Sequence, residues 1–167
     1  VSRVALLMGS DSDLPRLEPC LATLSELEIP CEARVLSAHR TPDELVEFVR
    51  AAPARGVRVF ICAAGGAAHL AGTVAAHTDL PVLGIPMDNP PLGGLDALLS
   101  TVQMPGGVPV AAFGAGAGGP VNAAWMAARI LALSDAKIAE RLVRARAAQK
   151  QKVLDKDAAL QKRRERP

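Results

Sequence analysis

The sequence predicts an α/β fold: a five-stranded parallel sheet with helices on both faces, followed by a C-terminal helical extension. Three observations predict it. Short continuous apolar runs recur five times and stop at polar, Gly-rich or Pro-rich loops, which suits strands buried on both faces. Between them lie stretches with apolar residues three and four positions apart, such as Leu14, Leu17, Leu21, Leu24 and Leu27, the spacing of an amphipathic helix. From Ser134 to Arg166 the chain is highly charged and contains neither Gly nor Pro.

The first run, residues 4–8, ends at Gly9. Residues 31–36 lead into Ser37-Ala38-His39-Arg40, and residues 57–64 lead into Gly65-Gly66. Residues 81–85 precede a Pro-rich loop, and residues 108–113 precede Gly114. Alternation of this kind builds βα units. Right-handed crossovers then bring every βα loop to one edge of the sheet, where open α/β folds bind ligands. Ser134-Asp135 reads as the cap of the final helix. Its apolar positions, Ile138, Leu142, Val153, Leu154 and Leu160, form a sparse stripe suited to a neighbouring surface. The expected organisation is a nucleotide-binding catalytic α/β domain over residues 1–134 and a charged helix over 135–167 that makes an oligomer contact.

A length of 167 residues fits one domain. Hydrophobic residues make up 50%, yet 31 are alanines and aromatics are only 2%, so the core must pack small residues between closely spaced elements. A mean hydropathy of +0.21 with 22% charged residues excludes disorder. No apolar run reaches the length of a membrane span, so no membrane partner is expected. Net charge is +2, but residues 1–134 carry −4 and residues 135–167 carry +6. A nucleic-acid reading of that tail is disfavoured, because acidic residues are interspersed and no aromatic platform accompanies them. Cys20, Cys31 and Cys62 form no CxxC pair and lie in apolar stretches, as expected of buried thiols in a reducing cytoplasm. With the first strand pattern beginning almost at Val1, no export leader is expected.

Four loops are candidates for chemistry. Gly9-Ser10-Asp11-Ser12-Asp13 offers hydroxyls and carboxylates before a helix; Ser12 or Asp13 serves as a cap, or Asp13 accepts hydrogen bonds from a ribose diol. Ser37-Ala38-His39-Arg40-Thr41-Pro42 sets an imidazole beside an anion clamp. Arg40 can grip a phosphate through two parallel bonds while Ser37 donates a third. An imidazole can donate and accept a proton near neutrality, which fits His39 for acid/base work. Ala64-Gly65-Gly66-Ala67-Ala68-His69 carries no bulky side chain before His69, so a flat ligand can lie on its backbone. His69 either lines the site or pins the loop. His77, eight residues later and expected in mid-helix, is too far along to share a metal with His69, and no metal site is expected. Gly114-Ala115-Gly116-Ala117-Gly118-Gly119 formally matches GxGxxG. It lacks the following βαβ context of a dinucleotide site and reads as a decoy, a Gly-rich wall or a subunit contact.

Taken in order, GSDSD, SAHRTP, AAGGAAHLAG, LPVLGIP and LLSTVQMPGGVPV closely resemble the small aminoimidazole-ribonucleotide carboxylase family of purine biosynthesis. The resemblance covers roughly residues 3–133, and AAHL is similar to the mutase class, class I of that family. It implies a flavodoxin-like three-layer sandwich, no metal, no organic cofactor and a homo-octamer with sites near subunit boundaries. It also implies a small ribonucleotide substrate and a functional link to the ATP-dependent N5-carboxyaminoimidazole ribonucleotide synthetase. His39 maps onto the family's acid/base histidine, and Ser10, Asp13 and Arg40 onto its nucleotide-binding positions. Ser37, Gly65, Gly66, Ala67 and His69 complete the expected substrate site. The implied reaction moves a carboxyl group from N5 to C4 of carboxyaminoimidazole ribonucleotide inside a closed pocket, with His39 acting first as acid and then as base. Alternatives are direct carboxylation of the unmodified ribonucleotide with carbon dioxide, or a non-catalytic nucleotide- or flavin-binding module. Two departures stand out: Ala71 replaces the Pro of the usual HLPG, and the helix from Asp135 onward carries little family signature.

Overall fold

The computed structural model describes residue 1 and residues 3–164. Five parallel strands, β1 (Val4–Met8), β2 (Cys31–Val35), β3 (Val59–Ala64), β4 (Val82–Pro86) and β5 (Ala111–Ala112), form one sheet in the order β2-β1-β3-β4-β5. This is the doubly wound order of flavodoxin-like folds, whose strand order reverses between β1 and β3. In register, Met8 lies opposite Val35 on one side and Ala63 on the other. The loops after β1, β2 and β3 therefore leave the sheet side by side.

Side-chain alternation along the strands supplies two cores. Val4, Leu6 and Met8 of β1 pack on one face with α1 (Leu14–Glu26), α5 (Gly118–Ala132) and the start of α6 (Ala136–Arg164). Ala5 and Leu7 pack on the other with α2 (Pro42–Ala51) and α3 (Leu70–Ala75). The remaining helix, α4 (Leu95–Val102), follows β4 and places Ala97 and Thr101 inward. Small residues let the layers approach: Ala123, Ala124, Ala127 and Ala128 of α5 are fully buried.

The outer strands depart from the expected burial on both faces. Only β1, β3 and β4 are buried along their length; β2 ends in the exposed Ala33, Arg34 and Val35 because it is an edge strand. At the other edge the expected run over 108–113 shrinks to two residues, since Pro109 has no N–H for a ladder. His77 is not in mid-helix: α3 stops at Ala75, and the His77 amide closes a turn onto the Val74 carbonyl at 2.9 Å.

The final helix divides in two. Asp135 caps it as expected, its Oδ1 accepting from the Lys137 and Ile138 amides at 3.1 and 3.3 Å. Ile138 and Leu142 do not join a stripe for a neighbour; both are buried in the chain's own core, where α5 leaves apolar surface to cover. Arg141 anchors this part to Glu28 at 2.7 Å. Val153, Leu154 and Leu160 are exposed. Cys20 and Cys62 are buried and Cys31 half-buried, all three free; burial pushes the Cys20 thiol up to about 12 and the Cys31 thiol up to about 11. No helix among the described residues is long and apolar enough to cross a membrane.

Candidate active site

The reversal of strand order opens a cavity of about 290 Å³ at the carboxyl edge of the sheet. Three loops build most of it. From β1 come Gly9, Ser10, Ser12 and Asp13; from β2, Ser37, Ala38, His39 and Arg40; from β3, Ala64, Gly65, Ala67, His69 and Leu70. Sequence separations of about thirty residues collapse here because the parent strands are neighbours.

The first loop is held by its hydroxyls. Ser10, rather than Ser12 or Asp13, caps the turn at Asp11–Asp13: its Oγ accepts from the Ser12 amide at 3.3 Å and lies 2.8 Å from the Ser12 Oγ. Asp13 is left without a capping bond and turns inward, 4% exposed, with Arg16 at 3.6 Å. Loss of solvation raises its carboxyl above the ordinary 3.8, and the Arg16 charge partly opposes that rise. A carboxylate so placed seeks hydrogen-bond donors, such as the hydroxyls of a sugar.

The second loop is a tight turn closed by its own side chains. Ser37 Oγ accepts from the His39 and Arg40 amides at 3.3 and 3.2 Å, and Thr41 Oγ1 accepts from the Ser37 amide at 2.9 Å. This folding presents His39 and Arg40 outward into the cavity mouth, where both are exposed. One arm of Arg40 is committed, donating to the Gly9 carbonyl at 2.7 Å. The rest of the guanidinium is available for an anion.

His69 lines the cavity and meets His39. The His39 Nε2 and His69 Nδ1 lie 2.8 Å apart, with the rings edge to face at 86°. One hydrogen serves both nitrogens, so at least one of the two rings is neutral at that position. The third loop stays low enough for this contact because Gly66 takes φ +61° and the Ala68 and His69 amides fold back onto the Gly66 and Ala67 carbonyls at 2.8 Å. Gly66 shapes the turn; unlike Gly65 and Ala67 it does not line the cavity.

One lining residue was not anticipated. Asn89, in the Pro-rich loop after β4, reaches the cavity beside Gly65. Its position follows from β4 lying next to β3, and a polar side chain at that edge of the sheet was the available signal. The loop over residues 114–119 contributes none of the residues lining the cavity, so it is not a Gly-rich wall of this site. Among the described residues no cluster of His, Cys, Asp and Glu could hold a metal ion.

This constellation has known relatives. A family model described as AIR carboxylase matches residues 3–152. The chain belongs to the AIR carboxylase family. The match runs well into α6, beyond the motif resemblance that ends near residue 133. A protein of Bacillus subtilis named N5-carboxyaminoimidazole ribonucleotide mutase is 49% identical over 91% of this chain and 94% of its own length. A mutase of the same name from Brucella melitensis is 50% identical over 92% and 94%. Among solved structures, Treponema denticola PurE superposes with a TM-score of 0.82 at 30% identity, covering 96% of this chain and 99% of that one.

Proposed function

We propose that the chain is an isomerase that moves a carboxyl group from N5 to C4 of carboxyaminoimidazole ribonucleotide. The observation that carries this reading is the convergence of His39, His69, Arg40, Ser10 and Asp13 on one cavity, in a chain about half identical to proteins named for that reaction over nearly their whole length. Arg40 and the Ser10 and Ser37 hydroxyls would hold the phosphate, Asp13 the ribose, and the low wall at Gly65 and Ala67 the flat imidazole.

His39 would carry the protons. If it starts as the imidazolium, both of its nitrogens bear hydrogen, so Nε2 donates to His69, whose Nδ1 must be the neutral acceptor. The N5–carboxyl bond breaks to release carbon dioxide as N5 takes a proton from His39. The C4 carbon, enriched by the exocyclic amine, then attacks the carbon dioxide. His39, now neutral, removes the C4 proton and restores the aromatic ring. No net proton, electron or co-reactant is consumed. Holding carbon dioxide beside C4 replaces a bimolecular encounter with an effectively unimolecular one.

The single chain leaves His39 and Arg40 exposed, so the closed pocket expected from the sequence is not complete within it. The substrate and a neighbouring subunit of a homo-octamer would supply the seal, and the exposed end of α6 offers surface for such assembly. The substrate would come from an ATP-dependent synthetase in the cytoplasm.

The test is conversion of the N5-carboxy ribonucleotide to its C4 isomer, followed by ultraviolet absorbance with ATP omitted. Isomerisation is the expected result. Turnover of only the uncarboxylated ribonucleotide, dependent on added bicarbonate, would replace this reading with direct carboxylation.

A further inference from the structure

Arg16, on the first turn of α1, faces the loop after β4. Its Nη1 donates to Asp88 Oδ1 at 2.5 Å and its Nη2 to Asn89 Oδ1 at 2.6 Å, while the same guanidinium stands 3.6 Å from the Asp13 carboxylate. One side chain thus ties the β1 loop to the β4 loop. A guanidinium has only donors, so the Asn89 carboxamide must turn its oxygen toward Arg16. Its NH2 group is thereby turned elsewhere. Nδ2 is the atom that a Cβ on Gly65 would strike first, which places this nitrogen against the Gly65 backbone at the cavity wall. Among the described residues the carboxamide's one hydrogen bond is that to Arg16, so both Nδ2 hydrogens remain for a ligand.

We propose that Asn89 is a substrate-binding residue, donating from Nδ2 to an anionic oxygen of the substrate, and that Arg16 is the positioning residue that aims it. The proposal rests on reading the cavity as a ribonucleotide site. Two anionic groups of such a substrate qualify, the carboxyl group being moved and the phosphate. The Arg16 side chain is 41% exposed, and exposed ion pairs add little to stability. The clamp's effect should therefore fall on binding and turnover rather than on folding. Arginine suits the task because its planar fork reaches two oxygens at once, which a lysine ammonium cannot reproduce with the same geometry.

Asn89→Asp keeps the side chain's size and its oxygen toward Arg16 but presents a negative oxygen where the NH2 group stood. It should lower kcat/KM at least tenfold, mainly through KM, with an unchanged melting temperature. Arg16→Ala and Arg16→Lys should each lower kcat/KM by less than this. Arg16→Ala should cost less in the Asn89→Ala background than it does alone, since the arginine acts largely through the asparagine, with a remainder through Asp13 beside it. Calorimetry with the C4-carboxylated ribonucleotide and with its uncarboxylated counterpart identifies the oxygen. If the donor meets the carboxyl group, Asn89→Asp weakens only the former; if it meets the phosphate, both weaken. Wild-type kinetics and affinities in both Asn89 variants would overturn the proposal, and additive losses in the double variant would overturn the role of Arg16. Absence of isomerisation by the unaltered protein strikes the functional reading alone, because the affinity measurements still judge the clamp; failure of the unaltered protein to bind either ribonucleotide would overturn the clamp as well.

Discussion

Two glycine-rich loops leave the same edge of the sheet, Ala64-Gly65-Gly66-Ala67 after β3 and Gly114-Ala115-Gly116-Ala117-Gly118-Gly119 after β5, yet only the first lines the cavity. Composition does not separate them; strand order does. Strand β3 is central and adjoins β1 at the reversal of order, so its loop lies beside the Ser10 and His39 loops. Strand β5 is an edge strand two places removed from β3. There the absent side chains serve packing: a Cβ on Gly119 would fall on the Gly114 carbonyl, closing the turn into α5. Glycine at one loop lets the Asn89 side chain close onto the cavity wall, and at the other lets the chain close on its own backbone.

The largest expected effect belongs to the residue that faces the first loop. His39→Asn should retain ribonucleotide binding and the melting temperature while turnover falls about 10³-fold, the scale of losing a general acid and base; steady-state kinetics and calorimetry separate the two. Activity within tenfold of the unaltered protein would remove His39 from proton transfer and weaken the distinction between the loops.

Next comes the second loop. Gly119→Ala should destabilise the subunit by about 1–3 kcal/mol, the cost of overpacking a tight site, and lower Tm by several degrees while leaving KM unchanged. Gly116→Ala is its control, because a Cβ there meets nothing within 4 Å. Equal thermal stability of the two variants would contradict the packing role.

Gly65→Ala sharpens the contrast from the other side. Its Cβ would displace the flexible end of Asn89 rather than backbone, so Tm should hardly move while kcat/KM falls about tenfold, equivalent to ~1.4 kcal/mol. A large loss of stability with normal kinetics would make the two glycines alike.

The smallest effect concerns Asp13 and pH. Because burial raises its carboxyl in the folded state above the ordinary 3.8, the folded chain binds that proton more tightly than the unfolded chain does. The ionised form therefore costs stability at neutral pH, and the cost disappears as pH falls through the raised value toward 3.8. Asp13→Asn should melt higher than the unaltered protein at pH 7, with the gap closing in acid, while its affinity for the ribonucleotide falls. Thermal scans across pH check the sign; a variant less stable at pH 7 would contradict it.

The sequence carried most of this architecture because three central strands announce themselves as apolar runs ended by loops of distinctive composition. Residues beside a strand end, such as Ser10, His39 and Gly65, inherit their position from that strand. What was hidden depends on which elements become neighbours. Asn89 approaches Gly65 only because β4 lies beside β3, and its orientation comes from Arg16, more than seventy residues away in sequence. Gly65 and Gly66 are indistinguishable by composition, although one lines the cavity and the other bends the chain. Ile138 and Leu142 point inward because α5 leaves apolar surface uncovered, which no periodicity within α6 reveals.

The most direct test of the central claim follows the carboxyl carbon itself. The N5-carboxy ribonucleotide, carrying a 13C label in that carboxyl group, is supplied to the protein in excess unlabelled bicarbonate, without ATP, and the C4-carboxylated product is analysed by mass spectrometry. Carbon dioxide held beside C4 in the His39 cavity predicts a product that keeps the label. Dilution of the label to the level of the bicarbonate pool would show that the carboxyl group enters from solution, contradicting transfer within one enclosed site.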